Sequence, residues 1–143
     1  MNLNRNVAVL TTRLLLGFIF LMQGYGKIFN IGVENLYNSY FKETFETLLP
    51  NFLVYGTAYY TSYIELIGGL LLVIGLKRDW ALYALASVLV IVTFGHGLEK
   101  PIWDLSHVMP RAIFLIALLI LPKDWDRFSL DYFLSKKSNP ADS

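Results

Sequence analysis

The chain has 143 residues, 55% of them hydrophobic and 16% charged, with a formal net charge of +1 and a mean hydropathy of +0.49. Soluble domains carry about 25% charge, so the apolar surplus points to a polytopic membrane protein, with residues 1–143 forming one small domain. The near-zero charge gives no nucleic-acid signal, and the absence of cysteine removes disulfide exchange, thiolate metal sites and thiol catalysis.

The first apolar block predicts a span over about residues 7–27. It contains Arg13 and runs on without a small-residue cleavage site, so it reads as a retained helix and not a secretory signal. Arg13, Gly17, Phe20, Gly24 and Lys27 are spaced 4, 3, 4 and 3, which puts them on one stripe with Gln23 at its edge. A stripe of small and polar residues marks the face of a membrane helix that meets other helices, and close packing is the reading that weighs most for its glycines.

Residues 28–51 are more polar. Leu36, Tyr40, Phe41, Phe45, Leu48 and Leu49 recur at helical spacing, predicting an amphipathic surface helix that Pro50 ends. The second span runs over about 52–76, with Glu65 its only charge. A carboxylate at mid-membrane depth costs roughly 2.5–3.5 kcal/mol unless it is partnered or protonated. Glu65 shares a face with Ala58, Thr61, Gly69 and Leu72. A turn of Lys77, Arg78 and Asp79 leads to a third span over about 80–98, with His96 near its end. The polar loop 97–106 follows, where Asp104 or Ser106 could cap the next helix. A fourth, short span covers about 107–122, opening with His107 and Pro110 and carrying Arg111 one turn in. The tail 123–143 reads as polar and frayed. The fold expected is all-α: a four-transmembrane-helix bundle with an amphipathic surface helix between the first two spans.

Lys and Arg in the flanks set the orientation. Arg5, Lys77, Arg78, Lys123, Arg127, Lys136 and Lys137 lie on one side, and Lys27, Lys42 and Lys100 on the other. Seven against three places both termini in the cytoplasm. Gln23, Lys27, His96, His107 and Arg111 then fall in the outer third. Glu65 lies about 16 Å below the outer start of its helix and is bracketed in depth by Arg13 and Arg111. Either arginine could meet it, and Arg suits a buried carboxylate by its planar fork.

The polar set describes an outward-opening pocket floored by Glu65 and rimmed by Gln23, Lys27, His96, His107 and Arg111. Such a site suits a molecule with a polar head and an apolar tail. A quinone fits, since its carbonyls need donors and its reduction needs protons, for which Glu65 is the candidate carrier. Simpler roles stand beside these. An ion pair of Glu65 with Arg13 or Arg111 could only fix helix register. Lys27 and Lys100 could snorkel. Tyr25, Trp80, Trp103 and Trp125 could anchor the chain at the interface. His96, His107 and Glu99 have metal-ligand chemistry, but their spacing matches no zinc motif, so no metal is expected.

RLLLGFIFLMQGYGKIF resembles the first-helix pattern of the DoxX family, and ELIGGLLLVIGLKRDWA is similar to its second-helix pattern of Glu, Gly-Gly, Gly-Leu and a basic turn. The matching positions are Arg13, Gly17, Gly24, Lys27, Glu65, Gly68, Gly69 and Gly75; the fourth block matches loosely, through Arg111. The resemblance implies a small four-helix protein of the bacterial cytoplasmic membrane, in a family whose DoxX and DoxD members are associated with quinone-linked redox complexes such as thiosulfate:quinone oxidoreductase. Gln23 stands where many members have histidine, which keeps a hydrogen bond but loses a titratable group.

These observations lead to the expectation of a membrane subunit that binds a quinone or other amphiphilic lipid. It would act with a redox protein partner or as a homo-oligomer, because no flavin, iron–sulfur or nucleotide motif is visible for a complete enzyme. The alternatives are a non-enzymatic assembly subunit with a structural ion pair, and a small proton-coupled transporter.

Overall fold

The computed structural model describes residues 2–100 and 107–138. Helix α1 covers Leu3–Tyr25, four residues earlier than expected, because Asn2 caps it by accepting from the Arg5 amide at 3.4 Å. It continues through a π-helical turn, Gly26–Ile31, and stops at Gly32, whose φ of 82° leaves the helical region.

The surface segment is not one regular amphipathic helix. It is a short α2 (Val33–Leu36), a π-helical turn (Tyr37–Phe41) and a short α3 (Lys42–Phe45). The reason is phase. Val33 and Phe45 are both buried, yet in an uninterrupted α-helix they would stand about 120° apart. The wider turn between them reduces that angle. Polar tethers hold the segment down: Tyr55 and Tyr59 donate to Glu34 Oε2 at 3.2 and 3.0 Å.

Helix α4 (Asn51–Ile74) lies against α1 at backbone contact. A Cβ on Gly24 would strike the backbone of Leu66, and one on Gly69 the backbone of Leu21. Apolar burial gives little drive between helices in lipid, so such close approach is the main source of cohesion there. Gly75 ends α4 in the left-handed conformation (φ 71°), and Leu76 N–H returns to Leu71 O at 2.9 Å. Helix α5 (Arg78–Glu99) follows at once. Its cap comes from far along the chain: Asp131 accepts from the Lys77 and Arg78 amides at 2.9 and 3.1 Å.

Helix α6 (Met109–Ile120) has Pro110 in its first turn, as expected, and spans 12 residues. The expected caps Asp104 and Ser106, and Trp103, lie outside the described residues. After α6 come a 3₁₀ turn (Lys123–Trp125) and α7 (Leu130–Ser138). Over its first half the expected frayed tail is therefore docked structure. Leu16, Phe20, Leu72, Leu82, Leu85, Leu115 and Leu118 form the shared core of α1, α4, α5 and α6. Three helices, Leu3–Ile31, Asn51–Ile74 and Arg78–Glu99, are long and apolar enough to cross a membrane; α6 is apolar but shorter.

Candidate functional site

Glu65 is 2% exposed and meets Lys27, whose Nζ stands 2.7 Å from its Oε2. This corrects the expectation that Arg13 or Arg111 would be its close partner. The cause is packing. Gly24 lets α1 press against α4 at Glu65 and Leu66, and Lys27, one turn further on, then has only the length of its own stem to cross. Lys27 is thus folded inward on the carboxylate.

Arg111 is half-buried and acts on Glu65 by charge at longer range. Gln23, on the same face of α1 as Lys27, has its Oε1 enclosed without a hydrogen-bond partner among the described residues. Lys27 by contact and Arg111 by charge are thus grouped around Glu65.

Arg13 does not belong to it. Its guanidinium sits at the C-terminal end of α4, about 11 Å along the axis from Glu65, where Nη1 donates to the Leu72 and Val73 carbonyls, Nη2 to Phe128 O at 3.1 Å and Nε to Asp126 Oδ1 at 3.2 Å. Arg78 makes a parallel arrangement, with Nη2 donating to the Leu118 and Leu121 carbonyls and Nη1 standing 3.7 Å from Asp126 Oδ2. Each arginine satisfies the orphan carbonyls at the end of a neighbouring helix. The charges nearly cancel: two guanidiniums and one carboxylate leave +1, against roughly −0.5 from each of the two helix C-termini. Sequence reasoning missed Asp126 and Arg78. Asp126 lies 113 residues from Arg13, and both sit in polar stretches that read as tail and turn.

His96 and His107 lie toward the other end. His96 Nδ1 is 3.9 Å from Glu99 Oε2, and His107 is exposed at the start of the described segment before α6. Among the described residues no three His, Asp or Glu side chains are placed to hold a metal ion. An apolar cavity of about 380 Å³ opens between the surface segment, α4 and α5, walled by Phe41, Phe45, Val54, Ile91 and His96, with Thr61 among its lining residues. Thr61 is one helical turn from Glu65, about 6 Å along the axis.

Tyr40 stands at the rim of this cavity and donates to Glu99 Oε2 at 3.0 Å. Partial burial, and then the carboxylate, raise its phenol above the ordinary 10.0. A raised pKa favours the folded state below pH 10 and loses that contribution as the pH rises further. The tether is therefore intact at neutral pH and loosens only in alkali. Tyr40→Phe is expected to speed hydrogen exchange of residues 37–45 roughly fivefold at neutral pH, the worth of one partly exposed hydrogen bond of about 1 kcal/mol. Unchanged exchange would mean that the aromatic contacts alone hold the segment.

Neither curated proteins nor solved structures include a match to this chain. The DoxX family pattern matches residues 8–99. That stretch holds Gly24 and Gly69, which bring α1 and α4 to backbone contact, and the Lys27–Glu65 pair that closes between them. With well over half of its length matched, and with helices suited to crossing a membrane, this chain is a multi-pass membrane protein of the DoxX family.

Proposed function

We propose that this chain is a membrane subunit that holds the polar head of a quinone or similar amphiphile at Lys27, Glu65, Gln23 and Arg111, with the tail in the apolar cavity beside Thr61 and His96. The observation that carries the reading is the buried Lys27–Glu65 pair one turn from that cavity, with a Gln23 oxygen on the same face of α1 as Lys27 that has no hydrogen-bond partner among the described residues. Lys27 and Arg111 are donors for carbonyl oxygens; Gln23 Oε1 and Glu65 are acceptors for hydroxyls. A quinone offers the first kind of group and a quinol the second, so the two pairs together suit a molecule that passes between those forms. His96 and His107 line the mouth. Arg13, first counted with this set, serves the C-terminal end of α4.

In this reading α6 is a fourth, short span, residues 33–45 lie on the outer surface, and both termini face the cytoplasm of a bacterial inner membrane. A redox protein partner supplies or removes the electrons.

The test is native mass spectrometry of the gently solubilised protein, with identification of the lipids that co-purify. A stoichiometric prenyl quinone is expected, and Glu65→Gln, nearly isosteric, should lower its retention at least tenfold, about 1.4 kcal/mol, while the helical content is kept. Full retention in that variant would overturn the proposal. The tight α1–α4 contact favours a second reading, in which the pair only sets the register of the two helices. Replacing Lys27 and Glu65 together by apolar residues would then preserve function.

A further inference from the structure

Residues 75–77 join α4 to α5. About two helical turns further on the two helices pack closely, and a Cβ on Gly68 would come within 2.9 Å of Leu85 Cγ. Toward the surface segment the same helices are parted by the apolar cavity of about 380 Å³. Two closures bound that parting. At the edge nearer the middle of the spans, the hydroxyls of Tyr60 on α4 and Ser87 on α5 stand 2.7 Å apart. At the other edge Phe45 packs on Gly95, its Cζ 3.6 Å from where a Cβ would stand, and Tyr40 donates to Glu99 Oε2. Between the closures the cavity wall includes Leu53 of α4 and Val90 and Phe94 of α5, which are 47%, 69% and 61% exposed. Leu53 shares a helix face with Tyr60, and Val90 and Phe94 share one with Ser87. The cavity is therefore open at its side, between two apolar spans, and roofed by residues 37–45.

From this we infer that the amphiphile enters and leaves sideways, its chain passing between α4 and α5 from the leaflet next to the surface segment, which acts as a fixed roof. The inference rests on the ligand reading above. No Lys, Arg, Asp or Glu is among the cavity's described lining residues. A charged headgroup would lose its hydration there with no partner in return, so the molecule that passes is neutral. A prenyl quinone or quinol meets this condition, whereas a phospholipid could place only an acyl chain in the opening. The rims are apolar side chains, which exchange lipid for a ligand chain at little cost. The roof is tied down on both sides, by Tyr55 and Tyr59 of α4 through Glu34 and by Glu99 of α5 through Tyr40.

The chain has no cysteine, so introduced thiols are labelled alone. Tyr40→Cys with Glu99→Cys, bridged by a short flexible bis-maleimide, pins the roof to α5. Leu53→Phe with Val90→Phe narrows the side opening from both rims and touches no buried residue. Native mass spectrometry of the full chain then follows the exchange of a bound prenyl quinone for its deuterated form, delivered from phosphatidylcholine vesicles. The pinned roof should leave the exchange rate unchanged within about twofold, and the narrowed opening should slow it roughly tenfold, an overpacking effect at the low end of the usual range. A pinned roof that stops exchange, or a narrowed opening that leaves it unchanged, would overturn the side entry. A nitroxide on Phe41→Cys, in the cavity wall, tests the opening with no ligand present. Dissolved oxygen, which concentrates in lipid, should relax that label more strongly than a water-soluble nickel complex; the reverse would show a cavity open to water and overturn the inference. Strong oxygen contact in a chain that retains no quinone would leave the side opening standing and remove the ligand assignment.

Discussion

Replacing Arg13 with leucine is expected to destabilise the folded bundle by about 3–5 kcal/mol, the usual cost of removing one partner from a buried ion pair. Arg13 is 1% exposed and Asp126 3%. Its loss leaves Asp126 facing Arg78 at 3.7 Å, takes the guanidinium from the Val73 and Phe128 carbonyls and leaves Leu72 O with the Gly75 amide alone. Arg13→Lys should not rescue it, because an ammonium lacks the planar fork that reaches several acceptors at once. The double variant Arg13→Leu with Asp126→Leu should recover part of the loss, since the buried charge goes with its partner, but not all, because the carbonyls that Arg13 served lose its hydrogen bonds. Thermal unfolding in detergent micelles measures this, and the four-species cycle gives the coupling. A loss below about 1 kcal/mol in Arg13→Leu would show that the network is far less important to the fold than its burial implies.

Gly69→Val should have an effect of similar size through sterics alone. A Cβ at residue 69 would strike the Leu21 backbone and come within 2.9 Å of Gly17 O. The obstacle is backbone, so no side chain can turn aside, and α1 and α4 must separate. Overpacking a tight contact costs about 1–3 kcal/mol, and two γ-methyls beyond the Cβ put this site at the upper end. The separation should also pull Lys27 away from Glu65, so ligand retention is expected to fall together with stability. Gly26→Ala and Gly56→Ala are the controls. Nothing lies within 4 Å of a Cβ at either position, and both should be neutral or stabilising by up to about 1 kcal/mol. If Gly69→Val unfolds at the wild-type temperature, the close α1–α4 contact is not what holds the bundle together.

Much of this was legible in the chain. The apolar blocks around residues 7–27, 52–76 and 80–98 correspond to α1, α4 and α5, because a span depends on a long run of apolar residues and little else. The stripe from Gly17 to Lys27 gave the face of α1 that meets α4, since helical spacing maps directly onto a face. Glu65 stood out as the costly residue on α4, and it is buried.

Pairing was not legible. Depth arithmetic places Arg13 and Arg111 near Glu65, but it carries no information about rotation or helix adjacency. The α1–α4 contact at Gly24 decides for Lys27. The caps were hidden for the same reason: Asp131 caps α5 from 53 residues away, and Asp126 joins Arg13 to Arg78 from what reads as a tail. The break of residues 28–49 into α-helical and π-helical turns also escaped, because it answers to the phase of Val33 and Phe45 on the bundle beneath. The sequence alone thus determined which segments are long and apolar enough to cross a membrane and which faces they bury, since both follow from local composition and period. Only the tertiary structure decided which charge meets which, because a buried charge takes the partner that backbone packing brings within reach, whatever its distance along the chain.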